Sequence, residues 1–386
     1  MTNHNTLFYN LMKFIQTCGV RFHDIRILAT FGWMIVGLIK SKKPHLSHWV
    51  ASRRGETQAA SKERQFARWL HNEKIRPMLT YLPVAEKIAQ EFAGQTVYVA
   101  LDTSQLWKKF VIIRLSLVYR GRALPLGWQV FASGSATVAV NRYQRLLAQV
   151  AGIMPSSTKV VLLADRGFAH TDLMKIIKQL GWHFRIRLKQ NTWVYQSNGR
   201  VKQVKELIPS LGKGRFYESV WITKQQYGPL HLAVAYVITR EGCEKWAIIS
   251  DEPVGRHTFD EYGLRFDIEE NFLDDKSGGF NLEDSKLHDS MAISRLCLAV
   301  ATATLYLVST GASITDLGLR RKVDTHWRRG LSYLQIGWRW CEYALTNCKW
   351  FPSFLWLGSQ LDPDLPIASW RQFYRPSFEL HSFEQL

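Results

Sequence analysis

The apolar residues of the first 95 positions recur at helical spacing. The segments that show this spacing are Leu7–Cys18, Ile25–Ile39, Glu63–Asn72 and Val84–Phe92. Apolar side chains that repeat every three or four residues share one face of a helix and bury it. Residues 1–95 are therefore predicted to form an all-helical region.

Between residues 96 and 189 the pattern changes to short apolar runs that alternate with amphipathic segments. The runs predict strands at Val97–Asp102, Val111–Tyr119, Ala123–Phe131, Lys159–Asp165 and His183–Leu188, and the amphipathic segments predict helices at Asn141–Ile153 and Thr171–Leu180. The tight turn at Arg120–Arg122 favours an antiparallel meander, and the nearly all-apolar fourth run is typical of a central parallel strand. This order of elements is that of a ribonuclease H-like fold.

The remaining residues divide into three further regions. Residues 190–252 carry strand-like pieces between Gly, Asn and Gln turns, which predicts a β-rich insertion. Residues 253–310 complete the core begun at 96–189, and the very apolar Ser290–Thr310 is expected to be a core helix. Residues 311–386 are predicted to be helical, and their basic cluster at Arg320–Lys322 and Arg328–Arg329 indicates DNA contact or dimerisation. The expected fold is a multidomain α/β (α+β) protein, with a ribonuclease H-like mixed sheet, a β-rich insertion and helical regions at both ends.

Charge changes this picture by indicating a partner. The chain has 50 Lys and Arg against 32 Asp and Glu, a formal net charge of +18, which favours a polyanion. Nucleic acid and an anionic membrane surface both satisfy this charge. The longest mostly apolar run, Ile27–Ile39, is well short of the roughly 20 residues that span a bilayer. Nucleic acid is therefore the favoured partner, and no membrane association is expected.

Cysteine usage and the N-terminus bear on the compartment. The five cysteines are scattered and form no C-x2-C pair, so neither a disulfide framework nor a structural zinc site is indicated. The N-terminus does not show the basic, apolar and small-residue order of a cleaved signal peptide. A cytoplasmic protein is expected.

The helical N-terminal region offers one basic face. Arg64 and Arg68 lie one turn apart, while Phe66, Trp69 and Leu70 face elsewhere. Such a face can lie on phosphates or enter a major groove. A solvated helix surface is the equally weighted alternative.

A second helical face, further along the chain, mixes charges of both signs. At about 100° per residue, Tyr262, Arg265, Glu269 and Lys276 fall close to one face. Two cations and an anion do not suit a core stripe. The alternative is an ion pair between Arg265 and Glu269 on a solvated helix surface, without a functional role.

Three carboxylates stand where a fold of this type can gather them. Asp102 and Asp165 are each expected at the end of a strand, and Glu269 lies on the helix that would pass both. Converging carboxylates repel one another unless a divalent cation neutralises them. Mg²⁺ or Mn²⁺ suits such hard oxygen ligands, and two ions about 3.5–4 Å apart can drive phosphodiester transfer. An Asp after a strand is also a common cap or turn former.

The Tyr262, Arg265, Glu269 and Lys276 spacing resembles the Y-x2-R-x3-E-x6-K signature of bacterial insertion-sequence transposases of the DDE type. The resemblance extends over about residues 97–285, through Val-Ala-Leu-Asp102-Thr-Ser and Leu-Leu-Ala-Asp165-Arg-Gly-Phe. It implies that Asp102, Asp165 and Glu269 are catalytic and hold two Mg²⁺ ions, for which Mn²⁺ can substitute. It also implies that Tyr262, Arg265 and Lys276 grip phosphates near the cleaved DNA end.

Two further residues are candidates for DNA contact. The segment from Lys245 to Val254 resembles the family segment in which a Trp stacks on a flipped-out base, which makes Trp246 the candidate. A Trp in a β segment is, by default, a core residue. Arg166 is a candidate for DNA contact or for a salt bridge.

The resemblance implies a transposase that cuts double-stranded DNA at the terminal inverted repeats of its insertion sequence and joins the ends to target DNA. It would act as a homodimer in the bacterial cytoplasm, associated with the nucleoid. The alternatives are a domesticated ribonuclease H-like DNA nuclease and a non-catalytic basic DNA-binding protein.

Overall fold

A computed structural model describes residues 3–53, 55–135, 138–239, 242–358, 362–363 and 382–385. Most of the predicted C-terminal region beyond residue 358 therefore lies outside the described residues.

Twelve helices and eleven strands occur in the described ranges. The helices are α1 (Asn3–Thr17), α2 (Ile25–Ser41), α3 (Leu46–Val50), α4 (Ala59–Leu70), α5 (Pro77–Gln90), α6 (Val140–Ala151), α7 (Thr171–Gln179), α8 (Val204–Leu207), α9 (Arg256–Gly263), α10 (Phe266–Leu273), α11 (Ser290–Asp316) and α12 (Tyr333–Thr346). The strands are β1 (Thr96–Leu106), β2 (Phe110–Tyr119), β3 (Arg122–Ala132), β4 (Lys159–Ala164), β5 (His183–Arg187), β6 (Trp193–Tyr195), β7 (Val201–Gln203), β8 (Lys213–Ile222), β9 (Tyr227–Thr239), β10 (Gly242–Ser250) and β11 (Ser382–Gln385).

The first five strands form the core of one mixed sheet. Their order in space is β3-β2-β1-β4-β5. The strands β1, β4 and β5 are parallel, while β2 and β3 run antiparallel as a meander. The ribonuclease H-like mixed α/β fold predicted from the sequence is confirmed.

The predicted β-rich insertion extends this sheet. Strand β10 pairs antiparallel with β5, and β9, β8, β6 and β7 follow outward in that order. The inner strands of the insertion are apolar enough to be buried, and Leu232, Val234 and Ile249 belong to the main core. The insertion therefore rests on the same hydrophobic core as the first five strands.

The strand that carries Asp102 continues past it, contrary to prediction. Parallel pairing of β1 with β4 ends at Leu101 and Ala164, but antiparallel pairing with β2 continues to Leu106. Strand β1 is longer because its second neighbour supports it after the first one ends. Asp102 consequently lies where β4 stops, beside the residue that follows β4, Asp165.

The signature segment is broken, so the prediction of one continuous helix is wrong. Helix α9 ends at Gly263, a tight turn at Leu264 and Arg265 follows, and α10 begins at Phe266. The amide of Ile268 donates to the carbonyl of Arg265 three residues back, as in a 3₁₀ turn. After α10 the backbone widens into a π-helical turn at Asp274–Gly278. The four signature residues thus lie on four different pieces of backbone.

The helices at both ends pack into the same core as the sheet. The buried core runs from Leu7 to Leu357, and the indole of Trp338 in α12 donates to the carbonyl of Ile39 in α2 at 2.6 Å. Helix α11 is long and apolar enough to cross a membrane, but 94% of its apolar window is buried inside the protein. The core helix predicted at Ser290–Thr310 is confirmed.

Candidate active site

Arg265 joins two of the three predicted carboxylates. Its Nη1 donates to Oδ2 of Asp102 at 3.0 Å, and its Nη2 donates to Oε1 of Glu269 at 2.5 Å. Arg265 is 5% exposed. Because it occupies the turn between α9 and α10, the break in the helix places its guanidinium over the sheet at β1.

The environment of Asp102 is dominated by burial. The pKa of Asp102 is raised to about 6, chiefly by burial and to a smaller extent by the neighbouring Asp165 and Glu269, against the lowering effects of Arg265 and the amide of Thr103. Burial by itself would lower the pKa of Arg265, but Tyr262, Glu269 and Asp102 raise it above its ordinary value. The three carboxylates are therefore close enough to act on one another, and Arg265 offsets part of their repulsion.

Asp165 is held by the backbone that follows it. Its Oδ1 accepts from the amide of Gly167 at 2.7 Å, which caps a short 3₁₀ turn at Arg166–Phe168. A Cβ at Gly167 would lie 2.9 Å from that oxygen. Glycine therefore permits the close approach that fixes the carboxylate. The turn-forming role of an Asp after a strand is present, and it orients the side chain at the same time.

The donor set fits a hard divalent cation in its chemistry. Asp102, Asp165 and Glu269 offer carboxylate oxygens, the ligands that Mg²⁺ and Mn²⁺ prefer. In the described ranges no three acidic, His or Cys side chains are preformed as a metal site. Arg265 already engages oxygens of Asp102 and Glu269, so a cation that binds all three carboxylates requires Arg265 or Glu269 to move.

Tyr262 and Trp246 do not reach the surface. Both are fully buried in a second small core, with their ring centroids 5.1 Å apart in an edge-on contact. The Phe266 ring packs on Trp246 at 5.9 Å. The predicted roles as base platform and phosphate ligand are not available to these side chains in this conformation. Trp246 is instead a core residue, the alternative that a Trp in a β segment suggests.

Among the described residues, Lys276 pairs with Glu283 and with none of the three carboxylates. It lies in the π-helical turn, where its Nζ is 3.9 Å from Oε1 of Glu283. The π turn inserts extra backbone after α10 and rotates Lys276 away from the face that a regular helix would give it. The structure brings Arg265 and Glu269 together, but not Lys276 with them.

An open cleft adjoins Asp165. Its volume is about 500 Å³, and its lining comprises Asp165, Arg166, Gly167, Lys189, Gln190 and Asn191. Arg166 and Lys189 are exposed and form no ion pair within the described part of the chain. The sequence analysis missed Lys189. Its signal was its position two residues after β5, since the carboxyl ends of parallel strands share one edge.

A buried cation that the sequence analysis also missed positions the helix of Glu269. Arg114 in β2 is 1% exposed; its Nη1 donates to Oδ1 of Asn271 at 2.7 Å and lies 2.6 Å from Oδ2 of Asp275. Its guanidinium also lies 4.7 Å from the centre of the Phe272 ring. Arg114 thereby fastens α10 and the π turn to the sheet. The signal was a lone Arg in an otherwise apolar strand.

A second buried arginine positions the preceding helix. Arg185 in β5 donates to Oε2 of Glu261 at 2.8 Å, to Oε2 of Glu252 at 3.1 Å and to Oγ of Ser250 at 2.9 Å. It is 3% exposed. These contacts fasten α9 to β5 and to the end of β10, so both helices that flank Arg265 are tied to the sheet.

The basic face of the N-terminal region is as predicted in its orientation. Arg64 and Arg68 are exposed on α4, while Phe66, Trp69 and Leu70 are buried. Neither arginine side chain forms a hydrogen bond or ion pair within the described part of the chain. The face is open to a partner.

Residues 102–306 match the family described as Transposase DDE domain, a match that covers more than half of the chain. The chain belongs to this transposase family. The match begins at Asp102 and includes Asp165, Arg265 and Glu269. The family places the chain among nucleic-acid-processing enzymes, and members of this family normally use a divalent metal.

Two further comparisons concern curated proteins and solved structures. A search of curated proteins finds no match for this transposase. Its fold is similar to a solved structure of the piggyBac transposase synaptic complex with hairpin DNA, with a TM-score of 0.43 and 11% sequence identity. The similarity covers 90% of this chain and 80% of that one.

Proposed function

We propose that the protein is a cut-and-paste transposase of the Tyr-Arg-Glu-Lys signature group. It cleaves double-stranded DNA at the inverted-repeat ends of a bacterial insertion sequence and joins the ends to target DNA. The observation that carries the proposal is the contact of Arg265 with both Asp102 and Glu269. Two carboxylates 167 positions apart in the chain share one guanidinium inside the family-matched region, beside the strand end that bears Asp165.

Asp102, Asp165 and Glu269 are the residues that would hold the divalent ions. Two bound ions would activate a water or a 3′-hydroxyl and stabilise the leaving oxygen of the phosphodiester. Arg265 shields the charge of Asp102 and Glu269 in the metal-free protein. It is also a buried cation at these carboxylates, from which it would donate to the oxygens of a scissile phosphate placed there.

The approach of DNA follows from the exposed cations. Arg166 and Lys189 line the cleft beside Asp165, where they would contact the phosphates of the strand that enters it. Arg64 and Arg68 on α4 would contact a more distant part of the duplex. Residues 1–95, which pack on the catalytic core, would thus serve as a DNA-binding region.

On the signature resemblance we extend the proposal to assembly and location. The transposase would pair two DNA ends as a homodimer, in the cytoplasm of a bacterium and on its nucleoid. Residues 311–386 would contribute to DNA contact or to the dimer. Inverted repeats that flank the gene would support this assignment directly.

The test is cleavage of end-labelled DNA taken from both flanks of the gene, with Mg²⁺ and with EDTA. Wild-type protein is expected to nick at the repeat end only with the metal, and Glu269→Gln is expected to abolish nicking. Glu270→Gln on the same helix is the matched control and should retain it. Nicking by the Glu269→Gln protein would refute the assigned site.

A second arm separates the transposase from a nuclease of the same fold. Pre-cleaved repeat ends are incubated with a target plasmid and Mg²⁺, and joined products are scored on a gel. A transposase transfers the 3′-hydroxyl end to the plasmid. A nuclease cleaves and leaves no joined product.

A further inference from the structure

The connection between α11 and α12 presents a large aromatic side chain to solvent. Trp327 is 77% exposed, although tryptophan buries more apolar surface than other side chains when it has a site. It lies in residues 320–328, here called the Trp327 loop. This loop lies outside the acidic site and contains no residue of it.

The Trp327 loop is held by a buried ion pair. Arg320, which is 6% exposed, donates from Nη1 to Oδ2 of Asp324 at 2.9 Å. Its Nη1 also donates to the carbonyl of His326 at 3.1 Å, and its Nη2 donates to the carbonyl of Trp327 at 3.0 Å. Asp324 is 1% exposed and accepts from the amides of His326 and Gly330. The backbone that carries Trp327 is thus fixed from within.

The Trp327 loop carries exposed cations, one of which contacts the indole. The guanidinium of Arg321 lies 4.5 Å from the centre of the Trp327 ring. Arg321, Lys322 and Arg328 are exposed, and their side chains form no hydrogen bond or ion pair within the described ranges. A loop with a fixed backbone therefore displays an exposed indole together with three cations whose side chains have no hydrogen-bond or ion-pair partner within the described residues.

The charge pattern decides which partner fits. A second copy of this chain that met the same loop about a two-fold axis would bring like charges together, which is unfavourable. DNA satisfies both features, since its phosphates pair with the cations and its bases and sugars offer flat or apolar surfaces to an indole.

We propose that the Trp327 loop is a DNA-contact surface separate from the acidic site, in which Arg321, Lys322 and Arg328 bind phosphates and the indole of Trp327 packs against an exposed base or sugar. The inference rests on the proposed function only in that the partner is DNA. The buried pair of Arg320 and Asp324 preorganises the surface, so little loop ordering opposes binding.

The test is binding of fluorescein-labelled DNA, measured by fluorescence anisotropy in EDTA so that no cleavage intervenes. The probes are a duplex from the gene flank, the same duplex with a 3′ overhang, and one of its single strands. Trp327→Ala is expected to weaken binding at least about fivefold on the probe whose base or sugar the indole contacts. Trp193→Ala, a partly exposed Trp in β6, is the matched control and should bind as wild type does.

A charge variant tests the other half of the surface. Arg321→Gln combined with Arg328→Gln should lower the slope of log affinity against log salt by about 2, whereas Trp327→Ala should leave the slope unchanged.

Unchanged affinity of Trp327→Ala on all three probes would overturn the inference. So would a wild-type dimer, seen by analytical ultracentrifugation without DNA, that Trp327→Ala dissociates. If the wild type cleaves DNA and Trp327→Ala binds DNA as the wild type does, this inference alone is refuted. If Trp327→Ala binds DNA more weakly and the wild type does not cleave, only the proposed function is refuted.

Discussion

Asp102 and Arg114 are direct partners across β1 and β2, yet the Arg114 guanidinium contacts Asn271 and Asp275 instead of Asp102. Asp102 is engaged by Arg265, which lies at the N-terminal end of α10. Two arginines thus have different roles at this point of the sheet. Arg114 fixes the helix, and Arg265 engages the acids.

Loss of Arg114 is expected to destabilise the protein strongly. Arg114→Met leaves the buried carboxylate of Asp275 without its partner, which costs about 3–5 kcal/mol of unfolding free energy. Adding Asp275→Asn should recover part of this loss. Urea denaturation measures both, with Arg64→Met on the exposed face of α4 as the control. Equal stability of Arg114→Met and the control would contradict the positioning role.

Removal of Arg265 is expected to strengthen metal binding by the DNA-free protein. The guanidinium engages Asp102 and Glu269 and repels an incoming dication, so Arg265→Gln should raise the affinity for Mn²⁺ several-fold. Calorimetric titration or the electron paramagnetic resonance signal of free Mn²⁺ reports the affinity without any turnover. Arg166→Gln, an exposed cation on the same edge, should change it little. A weaker affinity in Arg265→Gln would show that Arg265 organises the ligands instead of competing for them.

Trp246 is expected to act through stability. Trp246→Ala empties a fully buried site between β10 and the helices α9 and α10, which typically costs about 3–5 kcal/mol. Trp246→Phe should cost less. Denaturant unfolding gives the values, and the partly exposed Trp193→Ala serves as the control. A Trp246→Ala protein with wild-type stability and defective DNA binding would restore the platform role that burial argues against.

Asp274 is expected to make stability depend on pH. Its pKa is raised to about 6, chiefly by burial and with smaller contributions from Asp275 and Glu270, while Arg122 opposes the rise. A carboxyl whose pKa is raised on folding favours the folded state below its unfolded pKa of 3.8, and this contribution is lost as the pH rises through about 6. Asp274→Asn should therefore be more stable than wild type at pH 8, by on the order of 2 kcal/mol. Unfolding curves from pH 4.5 to 8 measure the difference. A gap that fails to shrink toward pH 4.5 would refute the assignment.

Gly167→Ala is expected to displace the Asp165 carboxylate. The new Cβ would lie 2.9 Å from Oδ1, and the aspartate side chain is the part that can yield. Mn²⁺ affinity should fall, while the thermal midpoint of unfolding changes little because Gly167 is exposed. Gly152→Ala, where the nearest neighbour is at an ordinary 3.5 Å, is the matched control. Unaltered Mn²⁺ affinity in Gly167→Ala would remove Asp165 from the ligand set.

The chemistry of the site was readable in the sequence, but part of its geometry was not. Strand patterns placed Asp102 and Asp165 near a common sheet edge, and residue spacing brought Arg265 and Glu269 together. Helical spacing alone could not reveal the break at Leu264 or the π turn at Asp274, because both are set by how the helices fit the sheet. The same packing buries Trp246 and Tyr262.

By itself, the sequence determined the order of strands and helices, the basic character, and the three acids with the signature spacing, because each of these is a local pattern of polarity and side-chain chemistry. Only the tertiary structure decided that Arg265 takes the place between Asp102 and Glu269 and that Arg114 serves α10. Arg265 meets Asp102 across 163 positions of chain, and Arg114 meets Asn271 across 157. Contacts over such separations depend on strand register and helix packing, which spacing along the chain does not specify.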